Sequence, residues 1–122
     1  RILVVDDEAG VRISTARILA TPHQVAAASS GRDALAILAK DAAFDLILCD
    51  VMMPEMTGPE LHAALLRDRP EIAKRVVFMS GGVFTEQTSH YLSRVPHTMF
   101  EKPFGVDELL QMVAEYFDKE PA

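Results

Sequence analysis

Ile2-Leu3-Val4-Val5-Asp6-Asp7 is a short apolar run that leads directly into two carboxylates. The same arrangement returns in Leu46-Ile47-Leu48-Cys49-Asp50, and a later apolar run, Thr98 to Phe100, is followed closely by Lys102. In open α/β sheets, ligands bind outside the carboxyl ends of the strands, so three charged strand ends predict one shared site. Two acids and a base at such an edge would suit a divalent metal ion and a phosphoryl group.

Short apolar runs alternate with longer segments of helical spacing along the whole chain. The predicted strands are Ile2 to Val5, Val25 to Ala28, Leu46 to Cys49, Val76 to Met79 and Thr98 to Phe100. The clearest helical segment, from Val106 to Phe117, carries its apolar residues on one face. Strands that are apolar throughout and alternate with helices predict a parallel sheet that is covered on both faces.

Cap residues indicate where the helices begin and end. Ser30 precedes the second helix, Thr57 precedes the third, and Pro70 lies where the third should stop. The fourth helix is predicted over the polar segment Thr85 to Arg94. The fold class is therefore α/β with five strands and five helices.

Size and charge exclude several classes of protein. The 122 residues are 49% hydrophobic, which suits one packed domain, and the net charge of −6 argues against binding to nucleic acid. Because neither an apolar run of membrane-spanning length nor a signal peptide is present, we expect a cytoplasmic domain. The first residue is Arg1 rather than Met, so residues 1–122 are expected to be a single domain excised from a longer chain. The single cysteine, Cys49, is predicted to be a small buried hydrophobe.

The charged residues form a chemically sufficient set for phosphoryl transfer. Asp6 and Asp7 are candidate ligands for Mg²⁺, which prefers one or two carboxylates together with phosphate oxygens. Asp50 could then act as the nucleophile, and Lys102 would neutralise phosphoryl oxygens. Any one of these charges alone would be better explained as a strand or helix cap, and Asp7-Glu8 could stabilise the first helix dipole. Their joint placement at strand ends favours a site.

In order and spacing, four motifs resemble the receiver domains of two-component response regulators. They are Val4-Val5-Asp6-Asp7-Glu8, Asp50-Val51-Met52-Met53-Pro54 with Gly58, Ser80-Gly81, and Lys102-Pro103-Phe104. The resemblance implies a flavodoxin-like (βα)5 doubly wound sheet with strand order 2-1-3-4-5. It also implies that Asp50 accepts a phosphoryl group from phosphohistidine on a histidine kinase or phosphotransfer domain. Asp6, Asp7, Asp50 and the backbone carbonyl of Met52 would bind Mg²⁺, and the Lys102-Pro103 peptide would be cis.

The same resemblance identifies the expected switch residues and two departures. Ser80 occupies the hydroxyl switch position and would donate to a phosphoryl oxygen, pulling its loop inward. The family's aromatic switch position is Met99 here, and Phe100 should face the opposite side of the sheet, so a weaker or differently built output is predicted. Met52 and Gly82 flank the phosphoryl position without polar side chains, which predicts slow hydrolysis of the aspartyl phosphate.

Two functions remain open, a phosphorylated signalling receiver and a receiver-fold interaction module that acts without phosphorylation. The complete acid, acid and lysine set favours the first, a domain that phosphorylates itself rather than a turnover enzyme. A haloacid-dehalogenase-like phosphatase is excluded, because it needs a second Asp two residues after the nucleophile, where this chain has Met52.

The resemblance also places partner surfaces. Kinase docking is expected at the first helix, Glu8 to Ala20, together with the loop after the fifth strand. Output or homodimer contacts are expected at the fourth helix, fifth strand and fifth helix. The segments Met79 to Thr85 and Phe100 to Phe104 resemble receivers fused to hybrid sensor histidine kinases.

The histidines and tyrosines show no catalytic pattern. The four histidines lack metal-ligand spacing and are predicted to lie at the surface or at strand ends: His23, His62, His90 and His97. Tyr91 and Tyr116 are predicted to be half-buried helix residues.

Overall fold

Five parallel strands form one sheet in the order β2-β1-β3-β4-β5. The structure is a computed structural model that describes residues 1–81, 85–95, 98–101 and 105–119. The strands are β1 (Ile2–Val5), β2 (Val25–Ala28), β3 (Leu46–Asp50), β4 (Val76–Ser80) and β5 (Thr98–Glu101). The predicted fold class, a flavodoxin-like doubly wound sheet with strand order 2-1-3-4-5, is confirmed.

Three strands extend one residue beyond the apolar runs that predicted them. The added residues are polar: Asp50 ends β3, Ser80 ends β4 and Glu101 ends β5. Backbone pairing continues past the apolar core, since Asp50 pairs with Met79 and Ser80 with Glu101. Asp50 and Ser80 are therefore held by the sheet ladder itself.

Six helices connect and follow the strands. They are α1 (Ala9–Ala20), α2 (Gly31–Lys40), α3 (Gly58–Asp68), α4 (Pro70–Ala73), α5 (Glu86–Arg94) and α6 (Val106–Lys119). The four-residue α4 was not predicted, because a single turn has no periodicity, so the predicted fourth and fifth helices are α5 and α6. The predicted caps Ser30 and Thr57 are confirmed, because each side chain accepts a backbone N–H three residues ahead. Thr85 caps α5 in the same way and was not predicted as a cap.

The sheet is covered on both faces by separate apolar clusters. One cluster contains Leu38 of α2, Leu65 of α3 and Leu92 of α5 against the sheet. The other contains Leu19 of α1 and Leu109 of α6. Alternate residues of β1, β3 and β4 enter each cluster, which explains why these strands are apolar throughout.

The edge strand β5 follows the same alternation. Met99 packs against the cluster that contains Phe78 and Tyr91, whereas Phe100 belongs to the cluster that contains Leu109. The prediction that Met99 and Phe100 face opposite sides is therefore confirmed. Phe100 cannot replace the aromatic side chain that Met99 lacks, because it lies on the other side of the sheet.

Among the single residues, one prediction was wrong. Cys49 is buried and Tyr91 and Tyr116 are partly buried, as predicted. His62, predicted to lie at the surface, is only 6% exposed. Its Nδ1 lies 2.5 Å from the Tyr91 hydroxyl, and this partner stabilises a polar side chain in the core. Within the described residues, no helix is long and apolar enough to span a membrane.

Candidate functional site

Three carboxylates meet at the carboxyl edge of the sheet. Because β1 and β3 are neighbours in register, with Val5 opposite Cys49, Asp6 and Asp50 leave the sheet side by side. One carboxylate oxygen from each of Asp6, Asp7 and Asp50 lies within 4.8 Å of the others. The sequence prediction that these side chains come together is borne out by this geometry.

The three carboxylates differ in burial. Asp6 is 1% exposed, Asp50 is partly buried and Asp7 is exposed. The Asp6 backbone and side chain are both anchored: Oδ1 accepts the Glu8 N–H at 3.0 Å, and the Arg12 guanidinium donates to the Asp6 carbonyl at 2.9 Å. The site is thus an acidic recess in which Asp6 is buried and held in place, whereas Asp7 lies on the side exposed to solvent. Arg12 was not predicted from the sequence, since its partner is a backbone atom.

This donor set fits a hard divalent cation. Carboxylates this close repel one another, and a cation that all three share removes that repulsion. Mg²⁺ takes oxygen ligands and retains several waters, so it does not need a full cage of protein atoms. Met52, whose carbonyl was predicted as a further ligand, follows Asp50 by two residues and lies in the loop between β3 and α3.

That loop is closed tightly onto Asp50. The Gly58 N–H donates to the Val51 carbonyl at 2.9 Å, and the Val51 N–H donates to the Met79 carbonyl at 3.0 Å. A β-carbon built on Gly58 would lie 2.5 Å from the Asp50 carbonyl oxygen. Only glycine therefore allows the first turn of α3 to pack directly against the backbone of Asp50.

The middle of the loop is a γ-turn at Pro54-Glu55-Met56. The Met56 N–H donates to the Pro54 carbonyl at 2.7 Å, and Glu55 has φ of 66°. Such a turn is rare and strained, so neighbouring contacts must hold it. One is the packing of Met56 against Gly31 at the start of α2, where an added β-carbon would lie 2.7 Å from the Met56 sulfur. No sequence signal pointed to this contact.

Cys49 lies beneath the carboxylates. Its thiol donates to the Asp50 carbonyl at 3.4 Å. Complete burial, followed by the negative charges of Asp50 and Asp6, raises the pKa of the Cys49 thiol far above its ordinary value of 9.0. The thiol stays protonated and neutral beside the acids, as a small buried hydrophobe should.

The other predicted site residues are described in part. Ser80 ends β4, the strand next to Asp50, and is partly buried. Met99 is partly buried on β5, directly opposite Phe78. Lys102, the Lys102-Pro103 peptide, Gly82 and His97 lie outside the described residues.

Comparisons with known proteins agree with this fold. The sequence model of the family described as response regulator receiver domain matches residues 2–114. The chain is 31% identical over 121 residues to the sensor kinase CckA of Brucella abortus, covering 98% of this chain and 13% of that protein. It is 32% identical to sporulation initiation phosphotransferase F of Bacillus subtilis, covering 95% of this chain and 92% of that protein.

Solved structures show the same similarity. The receiver domain of NtrX from Brucella abortus superposes with a TM-score of 0.81 at 28% identity, covering 98% of this chain and all of that one. Receiver domains in two-component systems are phosphorylated on an aspartate, typically bind Mg²⁺ in an acidic pocket, and work with histidine kinases and phosphotransfer partners. Since the family match extends over nearly the whole sequence, this chain belongs to the response regulator receiver domain family.

Proposed function

We propose that this chain is the phosphoacceptor of a two-component phosphorelay and that Asp50 receives the phosphoryl group from a phosphohistidine. The observation that carries this proposal is the meeting of Asp6, Asp7 and Asp50, each with a carboxylate oxygen within 4.8 Å of the others. Asp50 is partly buried at the end of β3, so its carboxylate is held by the sheet yet open to a donor.

The transfer itself is a substitution at phosphorus. An Asp50 carboxylate oxygen forms a bond to phosphorus while the bond between phosphorus and the imidazole nitrogen breaks. The electron pair leaves with that nitrogen, and the product is an acyl phosphate on Asp50. Such a reaction asks the protein mainly for positioning, which the fixed carboxylates supply, and for charge neutralisation, which a cation held by these carboxylates and a lysine would supply. We assign the lysine role to Lys102 and the switch roles to Ser80 and Met99.

The residues proposed to hold Mg²⁺ are Asp6, Asp7, Asp50 and the backbone carbonyl of Met52. When bound, the ion would offset the negative charge of the carboxylates and of the incoming phosphoryl oxygens. Asp6 is the fixed member of this set because the Glu8 N–H and the Arg12 guanidinium hold its two ends. Asp7 is the exposed member and gives the site its open side.

The partner is proposed to dock around the open side. Three large apolar side chains are exposed in segments that follow β1, β3 and β5: Ile13 on α1 by 49%, Met52 by 40% and Val106 at the start of α6 by 55%. Met52 lies two residues after Asp50, and we propose that Ile13 and Val106 contribute to the same docking surface. An apolar rim around an acidic recess suits a histidine kinase or phosphotransfer domain that presents its phosphohistidine.

The surface formed by α5, β5 and α6 is proposed for output contacts, including contacts with a second copy of this chain. The net charge of −6 supports output through protein partners rather than through nucleic acid. We propose that residues 1–122 act as one receiver module. The chain spans 13% of the sensor kinase CckA and 47% of the response regulator MprA of Mycolicibacterium vanbaalenii, so the relatives carry this module within longer proteins.

The alternative, an interaction module that acts without phosphorylation, is less well supported. A purely structural module would have no need for three mutually repelling carboxylates, one of them buried, at the edge of its sheet. Met99 is the one residue that supports the alternative, because it lacks the aromatic ring expected at the second switch position. It affects only how a signal would leave the site, whereas the three carboxylates proposed for phosphoryl transfer are all present.

The direct test is a mass measurement. Incubation with Mg²⁺ and acetyl phosphate should add the mass of one phosphoryl group, and removal of Mg²⁺ should prevent the gain. Asp50→Asn should abolish it. The matched control is Asp68→Asn, because Asp68 is an exposed aspartate at the far end of α3 that pairs with Arg67. Full phosphorylation of Asp50→Asn, or a gain that does not need Mg²⁺, would contradict the proposal.

A further inference from the structure

One buried polar contact joins α3 to α5, the helices that follow Asp50 and Ser80. The ring of His62 on α3 is 6% exposed, and its Nδ1 lies 2.5 Å from the hydroxyl oxygen of Tyr91 on α5. Either the hydroxyl donates to an unprotonated Nδ1, or a protonated Nδ1 donates to the hydroxyl oxygen. Both arrangements tie the two helices together.

His62 is fixed on the side away from Tyr91. Its ring packs edge-on against Phe78 of β4 with centroids 5.6 Å apart, and against Tyr91 with centroids 5.8 Å apart. Phe78 is fully buried and lies opposite Met99 in the ladder between β4 and β5. The chain of rings therefore runs from β4 through His62 to α5, and His62 is its buried middle member.

Among the described residues, α5 shows few other buried side chains that could anchor it. Of its nine residues only Thr88 and Leu92 are buried, and Tyr91 is partly buried. The Thr88 hydroxyl accepts a hydrogen bond from the hydroxyl of the cap residue Thr85, so it does not anchor α5 to another element. Partial burial raises the pKa of the Tyr91 hydroxyl, so it keeps its proton at neutral pH. With so little apolar contact, one hydrogen bond is a substantial part of what holds α5 in place.

Both helices connect directly to the proposed phosphorylation site. Helix α3 begins at Gly58, whose backbone packs on the Asp50 carbonyl, and α5 begins six residues after Ser80. Only five residues separate Ser80 from α5, so we infer that a movement of Ser80 toward a phosphoryl group on Asp50 would draw the first turn of α5 with it. His62 does not follow, because Phe78 holds it, so the His62–Tyr91 contact resists the displacement.

We propose that the His62–Tyr91 hydrogen bond is a latch that holds α5 against α3 and opposes the α5 displacement that accompanies phosphorylation of Asp50. This inference rests on the proposed function. It adds to the proposed switch residues, Ser80 and Met99, a restraint formed by a histidine and a tyrosine on two helices, on the face of the sheet where Met99 offers no ring. By linkage, whatever weakens the latch strengthens binding of a phosphoryl group or its mimic at Asp50.

The test uses beryllium fluoride as the phosphoryl mimic, with Mg²⁺, and measures its affinity by calorimetry. Tyr91→Phe removes the hydroxyl and keeps the ring, and His62→Leu removes the ring nitrogens at similar volume. Each should raise the affinity about two- to tenfold, the factor that one net hydrogen bond represents, and the double variant should add nothing further. Tyr116→Phe is the matched control, since Tyr116 is a partly buried tyrosine on α6, and it should leave the affinity unchanged.

Amide hydrogen exchange of α5 supplies a second readout. Before beryllium fluoride is added, the amides of Glu86–Arg94 should exchange faster in Tyr91→Phe than in the parent. Addition of beryllium fluoride should then change the exchange rate less in Tyr91→Phe than in the parent. A fall in melting temperature with unchanged mimic affinity would overturn the inference and leave the pair as a structural tie. If the parent gains no phosphoryl mass with acetyl phosphate, the proposed function fails and the latch fails with it. If the parent gains the phosphoryl mass but the variants bind beryllium fluoride no more tightly than the parent, the latch is overturned and the proposed function stands.

Discussion

Gly58 packs so closely on the Asp50 carbonyl that a β-carbon at position 58 would lie 2.5 Å from its oxygen. The residue proposed to accept the phosphoryl group is therefore positioned by the first turn of α3 as well as by the sheet. This contact is between two backbones, so a side chain at position 58 cannot rotate out of the way.

We predict that Gly58→Ala lowers the free energy of unfolding by about 1–3 kcal/mol, as overpacking does in a well-packed interior. It should also weaken Mg²⁺ binding, because relief of the clash displaces Asp50 or α3. Urea denaturation followed by circular dichroism measures the first effect and calorimetry the second. Gly10→Ala on α1 is the control, since an added β-carbon there meets nothing within 4 Å. Equal behaviour of the two variants would contradict the prediction.

Substitution of Gly31 should differ from that of Gly58, because Gly31 packs against a side chain rather than a backbone carbonyl. Gly31→Ala places a β-carbon 2.7 Å from the Met56 sulfur and 2.8 Å from its Cγ. We predict a loss of stability of about 1–3 kcal/mol, most of it recovered when Met56→Ala removes the clashing atoms. A double-mutant cycle in urea checks this, and additive losses would show that the two residues do not constrain each other. The contrast with Gly58 follows because a side chain can be removed and a backbone carbonyl cannot.

The cluster of three carboxylates leads us to predict that Asp7→Asn changes thermal stability in opposite directions without and with Mg²⁺. Asp7→Asn removes one of three mutually repelling charges, so the metal-free protein should melt at a higher temperature than the parent. In the parent, Mg²⁺ at ten times its dissociation constant should add about 1.4 kcal/mol of stability, and Asp7→Asn should lose most of that gain. Thermal melting with EDTA and with Mg²⁺ gives both values, with Asp68→Asn as control. A variant that melts lower than the parent in EDTA would argue against the repulsion.

We predict from the buried thiol of Cys49 that the free energy of unfolding falls at alkaline pH. Burial raises its pKa in the folded state above the ordinary value of 9.0, so above that pH the unfolded chain releases the thiol proton while the folded chain retains it. Stability is therefore complete below about pH 9 and should then fall, by up to about 1.4 kcal/mol per pH unit from this group. Denaturation at pH 8, 9 and 10 should show this slope in the parent and a shallower one in Cys49→Ala. Parallel profiles would remove Cys49 as the cause.

The features that could be predicted from the sequence are those that depend on the local pattern of apolar and polar residues. The bounds of β1 and β2 are correct to the residue because both ends of each strand coincide with the ends of an apolar run. Asp50 and Ser80 were left outside their strands because polar residues end an apolar pattern but not a hydrogen-bond ladder. Asp6, Asp7 and Asp50 could be brought together from the sequence because parallel strands end at one edge.

What the sequence could not predict depends on contacts between distant residues. His62 was placed at the surface because a lone histidine on a helix has no visible partner, and Tyr91 lies 29 residues away. The positive φ of Glu55 could not be predicted either, since the turn contains no glycine and the neighbouring Met56 packs against the distant Gly31. Both features belong to tertiary structure, where local propensity is overridden.

We expect the lifetime of a phosphoryl group on Asp50 to depend on Met52, which is 40% exposed two residues after Asp50. A methionine cannot orient an attacking water by hydrogen bonding, whereas an asparagine amide can. We predict that Met52→Asn hydrolyses its aspartyl phosphate severalfold faster than the parent, on the scale of a weakly positioned water rather than of full general-base catalysis. The decay of the phosphorylated mass after removal of the phosphodonor gives the rate. Leu66→Asn on α3 is the matched control, because Leu66 is 47% exposed and lies two helical turns from the loop, so its substitution should leave the rate unchanged. Equal decay in Met52→Asn and the parent would mean that water positioning at residue 52 does not limit hydrolysis in this chain.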